Sequence, residues 1–127
     1  MIELTFSLWL SLCTVNWEVN HNITYQSDYA HYGVVEKWAN PVDGRGDCED
    51  YAIAKKIALE KIGIKSYFAT CWQVEDFRHR LHAVLLIDTD HGTLVMSNGF
   101  DYVTNYDKLK WQWDKRECQD GHWRKIL

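Results

Sequence analysis

The sequence predicts an α+β domain, helices first and an antiparallel sheet after them, and three observations predict it. Leu4, Leu8, Leu12 and Val15 recur at helical spacing. The stretch Cys48 to Ile62 has a helical apolar period and is bracketed by cap residues. Beyond Gly63 the period changes to alternation, in short β-branched runs separated by turn residues. A chain of 127 residues is expected to form one domain over 1–127, large enough to bury about two-thirds of its unfolded surface without disulfide or metal staples.

Trp9 and Val19 extend the first stripe, so the first helix is expected to end near Asn20 or Asn22. Its run from Leu4 to Val15 is too short to span a bilayer. Glu3 stands where a signal peptide carries basic residues, no small-x-small cleavage site follows, and Leu12 is unusually large for the position before a lipobox cysteine at Cys13. The reading is a core helix in a chain that is cytoplasmic at synthesis.

Asn- and Tyr-rich sequence then runs to Pro41 as loop, with one short helix expected over Tyr32 to Trp38. Asp47 suits an N-cap, Asp50 three residues on can reciprocate as in a capping box, and Gly63 sits where a glycine ends a helix. Ala54, Ala58 and Ile62, with Ile53 and Ile57 beside them, give the expected apolar face. Tyr67, Ala69 and Cys71 then alternate with Phe68, Thr70 and Trp72 as a strand. Leu81 to Asp88 and Thr93 to Asn98 make two more, joined across Thr89-Asp90-His91-Gly92 by a hairpin. A further strand pair is expected through Tyr102 and Val103. The region of Trp111, Trp113 and Trp123 is too mixed to assign.

Composition excludes several classes. The net charge is −4 and no basic stripe is visible, which argues against a nucleic-acid partner. A single proline and the absence of low-complexity sequence argue against disorder. Cys13, Cys48, Cys71 and Cys118 form no Cys-x-x-Cys pair, so the spacing writes neither a disulfide framework nor a zinc knuckle, and a reducing compartment fits best. Cys118 and His122 make half of a zinc site with no second half. Arg45-Gly46-Asp47 spells an integrin-type tripeptide but is set aside, because Asp47 already has a capping role. The three late tryptophans either line a groove or pack on the sheet, and Trp38 either walls a cleft or joins the core.

The stretch GRGDCEDYA carries the chemistry. Cys48 opens a helix, where unpaired backbone N–H groups and the positive dipole end favour a thiolate. Asp47, Glu49 and Asp50 oppose it, since each is a negative charge within about 4–6 Å. Three carboxylates on one turn are also a ligand set for a hard cation such as Ca²⁺, which would reverse the local field. A cysteine nucleophile needs a base and an orienting group from elsewhere in the chain. His82 opens the strand HAVLLI, whereas His79 sits in a charged stretch, His91 at a hairpin tip and His122 near the tail. The orienter is Ser97 or Asn98, at the end of LVMSN. An odd loop, Asp90-His91-Gly92, pairs Thr89 with Thr93 and places Asn98 on the His82 face; an even loop places Ser97 there.

GRGDCEDYAIAKKIALEKIGI followed by LHAVLLIDTDHGTLVMSN resembles the bacterial transglutaminase-like cysteine proteinases, the LapG-like family, and the resemblance extends upstream through VNWEVNHNITYQSDYAHYGVVEKWANP. It implies a papain-like, transglutaminase-like core with the nucleophile helix packed on an antiparallel sheet. It further implies Cys48 as nucleophile, His82 as base, and Asp47, Glu49 and Asp50 as a calcium group. One departure stands out. Where the family has aspartate in a V-L-D-N stretch, this chain reads Val95-Met96-Ser97-Asn98, which leaves a Cys-His-(Asn/Ser) site. LapG-type relatives are periplasmic, whereas this chain begins almost at the domain. The expected activity is a cysteine peptidase or amide hydrolase acting on a protein or peptide, with no membrane span and the oligomeric state open. Two alternatives accompany it: a catalytically silent fold that binds or inhibits a protein partner, and a transglutaminase or glutamine deamidase.

Overall fold

The computed structural model describes residues 1–25, 45–46, 48–72 and 81–126. The expected helix over Tyr32 to Trp38, Asp47 and His79 lie outside them. Helix α1 spans Phe6–Asn22 and starts at Thr5, whose Oγ1 accepts the Leu8 N–H at 3.0 Å. Strands β1 (Thr24–Tyr25) and β2 (Arg45–Gly46) pair in parallel just before helix α2, Cys48–Lys61. At its end Gly63 takes φ 79°, the Ile64 N–H donates to the Leu59 carbonyl and the Gly63 N–H to that of Glu60. This is the Schellman arrangement that the glycine foretold, closed by Leu59 and Ile64 in one core cluster.

Six strands follow: β3 (Tyr67–Trp72), β4 (Leu81–Thr89), β5 (Gly92–Met96), β6 (Thr104–Asn105), β7 (Gln112–Glu117) and β8 (Trp123–Lys125), with a 3₁₀ turn at Tyr106–Lys108. They form one antiparallel sheet in the order β6-β5-β4-β3-β7-β8. The strand expected through Tyr102 and Val103 falls at Thr104–Asn105. The unassigned tryptophan region supplies β7 and β8, which extend the sheet beyond β3; as partly exposed strands they lack a continuous apolar signal.

The sheet buries both faces, which is why β4 reads as an unbroken apolar run rather than an alternating one. On one face Leu85, Ile87, Leu94 and Met96 pack against Leu12 of α1 and Leu59 of α2. On the other, Val84, Leu86 and Val95 meet Tyr67, Phe100, Leu109, Trp111 and Trp113. Each fully buried Leu or Ile contributes about 1.5–3 kcal/mol.

One local expectation is corrected and one open alternative is decided. The buried line of α2 runs through Ala52, Lys55 and Leu59, while Ile62 is 55% exposed. Apolar residues lie all round this helix, so period alone does not choose a face, and the aliphatic stem of Lys55 occupies a core position. The β4–β5 hairpin pairs Thr89 with Gly92, so its loop is the two residues Asp90 and His91. Gly92 holds φ 102°, and a Cβ there would come 2.9 Å from the Asn105 side chain.

Candidate active site

The even hairpin decides which side chain faces His82. In register, Leu86 pairs with Val95 and Leu85 with Met96. His82 shares the face of Val84 and Leu86, and Ser97 shares the face of Val95, so both look onto the aromatic side of the sheet. There the His82 Nε2 lies 2.9 Å from the Ser97 Oγ, and that oxygen also accepts the Gly99 N–H at 3.0 Å. Ser97 is 1% exposed. Its carbonyl accepts from the Asn20 Nδ2 at 3.0 Å, which ties the turn after β5 to α1. Asn98 falls on the opposite parity, and its buried Oδ1 accepts no hydrogen bond among the described residues. Of the two alternatives, the even loop holds, and Ser97 rather than Asn98 faces His82.

The thiol arrives from the other face. The ladder between β4 and β5 ends at Leu85 and Met96. By the alternation of antiparallel pairing, Ala83 turns its N–H to the side where β5 has left the sheet. Cys48, first residue of α2, fills that notch: the Ala83 N–H donates to its Sγ at 3.4 Å. Helix α2 and the histidine strand thus meet at one strand edge, the thiol from the helical side and the imidazole from the aromatic side. Cys48 is half-buried. Its thiol donates to the Glu49 Oε2 at 3.5 Å.

Glu49 and Asp50 are buried carboxylates in the first turn of α2, at 7% and 0% exposure. They are hard oxygen donors of the kind calcium takes, and a helix start favours their charge. Among the described residues no three His, Cys, Asp or Glu side chains cluster closely enough for a metal, and Asp47, the third expected ligand, lies outside them. The donors fit the ion in type, and Glu49 and Asp50 stand side by side in the first turn of α2.

Three contributors carry no signal of their own in the sequence. The Ala83 backbone N–H is visible only once the end of β5 is known. Gly99, two residues past Ser97, is foreshadowed only by the polar turn Ser-Asn-Gly. Trp111 meets the His82 ring at right angles, with centroids 5.6 Å apart. It reaches that face because β7 is irregular: Thr70 pairs with Lys115 but Cys71 with Trp113, so Asp114 is an extra residue and the side chains before it change face. Cys71 stands opposite His82 across the β3–β4 ladder, donating to its carbonyl at 3.7 Å, and burial pushes its thiol up to about 12. It stays protonated and inert.

The family model described as bacterial transglutaminase-like cysteine proteinase matches residues 1–127. Calcium-bound LapG of Legionella pneumophila has the same fold, with a TM-score of 0.75 at 20% identity over 94% of this chain and 72% of that one. The EGTA-treated form gives 0.75 at 19% identity over 94% and 68%. A third LapG structure gives 0.72 at 22% identity over 90% and 67%. No curated protein matches the chain. The α+β architecture, two helices on an antiparallel sheet, is thus that of LapG and the transglutaminase-like fold.

Proposed function

This chain belongs to the bacterial transglutaminase-like cysteine proteinases, and on that footing we propose that it is a cysteine peptidase or amide hydrolase acting through Cys48, His82 and Ser97. The observation that carries this reading is the notch at the edge of β4. There a half-buried thiol at a helix start, 3.4 Å from the Ala83 N–H, adjoins a histidine hydrogen-bonded to Ser97 at 2.9 Å.

In this reading the Cys48 proton passes to His82, whose Nε2 is held by Ser97, and the Ala83 N–H and the first N–H groups of α2 hold the charge on sulfur. Sulfur attacks the peptide carbonyl, and the same helix-start donors face the developing oxyanion. His82 returns its proton to the departing amine and then takes one from the water that releases the acyl group.

Calcium belongs to the same proposal, since one of the LapG structures is calcium-bound and another EGTA-treated. Asp47, Glu49 and Asp50 would hold it, and its charge would offset the carboxylates that otherwise discourage the thiolate. A second reading, a fold that binds a protein partner without turnover, draws on one observation: a serine faces His82 at the position where the family resemblance implies aspartate.

The test is selective alkylation of Cys48 by iodoacetamide at neutral pH, read by mass spectrometry, with incubation of the protein with casein. Labelling at Cys48, lost in Cys48→Ser, together with new amino termini in casein, is the expected result. Ammonia release without new termini would move the reading to a glutamine deamidase. Absence of both products would favour the silent fold.

A further inference from the structure

We propose that Trp111 is a positioning residue for His82: its indole fixes the imidazole at the angle that presents Nε2 to Ser97 and keeps water off that hydrogen bond. The proposal rests on the Cys48–His82 reading above. The second torsion of a histidine side chain is broad and sets the ring angle weakly. A carboxylate partner would narrow it through a charge-assisted bond, roughly twice as strong as a neutral one. Here the partner is a neutral hydroxyl already engaged by the Gly99 N–H. The Trp111 indole gives the ring a further constraint.

Trp111 meets His82 with centroids 5.6 Å apart and planes at 83°, an arrangement that a ring turn would destroy. Trp111 is itself braced. Phe100 lies 5.9 Å from it and Trp113 5.8 Å, and Phe100 stacks on Tyr102 at 4.6 Å. The Phe100 carbonyl is gripped by the amides of Asn16 and Asn20 of α1 at 3.0 and 2.9 Å. A chain of contacts therefore runs from α1 through the turn after β5 to the indole, and α1 holds Ser97 by the same Asn20. Ser97 and Trp111, two neighbours of the imidazole, are thus both tied to α1.

Among the described residues, the titratable groups near this ring include Cys48, with Glu49 against it, from α2 and Cys71 from β3; Asp114 of β7 lies within electrostatic reach of Cys71. Cys71 stays protonated through the range of the test.

The experiment measures iodoacetamide alkylation of Cys48 at pH 6 and pH 9 in the whole chain, for wild type, Trp111→Ala, Trp111→Phe and His82→Ala, with melting temperatures. At pH 6 the rate reports thiolate sustained by a protonated, well-placed His82; at pH 9 an ordinary thiol reacts unaided. Trp111→Ala is expected to lose about tenfold at pH 6 while staying within about twofold at pH 9, and Trp111→Phe to recover most of the loss. Equal rates at pH 6 for wild type and a folded Trp111→Ala overturn the proposal, as does an equal fall at both pH values, which marks a structural role alone. If Trp111→Ala melts below the assay temperature, Trp111→Leu, which keeps apolar volume without a ring, takes its place under the same criteria. If wild type and His82→Ala react equally at pH 6, the Cys48–His82 reading falls and this proposal with it.

Discussion

Replacing Ser97 by aspartate should make the protein more reactive. A serine hydroxyl has one proton and two lone pairs, and the Gly99 N–H occupies one pair at 3.0 Å. For His82 to act as base toward Cys48, its Nε2 must carry a proton and donate it to the second pair of Ser97. The hydroxyl proton then needs an acceptor in a site that is 1% exposed. The competing arrangement turns that O–H toward a bare Nε2, satisfies the hydroxyl, and leaves the histidine proton on Nδ1, where it cannot accept from a thiol. A buried donor left unmade costs about 1–3 kcal/mol. At about 1.4 kcal/mol per factor of ten, the productive arrangement is disfavoured roughly 5- to 150-fold. Aspartate only accepts: it takes both N–H groups, stabilises the imidazolium, and removes the competing state.

The assay is Cys48 alkylation by iodoacetamide at pH 6, with Ser97→Asp expected to react at least about fivefold faster than wild type and Ser97→Asn to fall between them. Aspartate adds two heavy atoms to a packed site, an intrusion that costs about 1–3 kcal/mol, so the melting temperature is measured alongside. An unchanged or slower rate in a Ser97→Asp protein that melts within a few degrees of wild type would refute the reasoning.

Calcium should raise the melting temperature and the Cys48 alkylation rate together, by about 2.7 kcal/mol of stability at a hundredfold excess over Kd, and a chelator should lower both; Asp50→Asn should blunt the response, and equal values with calcium and chelator would exclude the site. Burial lowers the Lys55 ammonium from 10.5 to about 7, only partly opposed by Asp101, so the folded protein gives up a proton that the unfolded chain keeps to higher pH. Stability should accordingly rise with pH between about 7 and 10, and Lys55→Met should flatten that rise and stabilise the fold at pH 7 by on the order of 3 kcal/mol in urea titrations. The Arg116 guanidinium grips Asp88 in two bonds of 2.8 and 2.7 Å and holds that carboxyl below its usual range. Its stabilisation is present above about pH 4 and lost as the pH falls through the lowered value, and Asp88→Asn should cost about 1–3 kcal/mol at pH 7 while melting less steeply toward acid.

Elements whose causes are local were legible from the residues alone. Gly63 closes α2 through bonds that span three to five positions, and the apolar runs of β3, β4 and β5 declare strands because each residue carries its own burial preference. The resemblance around Cys48 and His82 likewise lies in short contiguous stretches. What tertiary structure decided depends on parity and on distant partners. Moving the hairpin loop from three residues to two exchanges Asn98 for Ser97 before His82, since side chains alternate at every residue. The extra residue at Asp114 turns Trp113 and Trp111 onto the histidine face, and the end of β5 at Met96 frees the Ala83 N–H for the thiol. The face of α2 was settled the same way: apolar residues surround the helix, and packing against α1 and β4, not periodicity, put Lys55 inside and Ile62 out. One residue of register reverses such outcomes at almost no change in composition or pattern, so they are fixed only when the strands and helices are placed against one another.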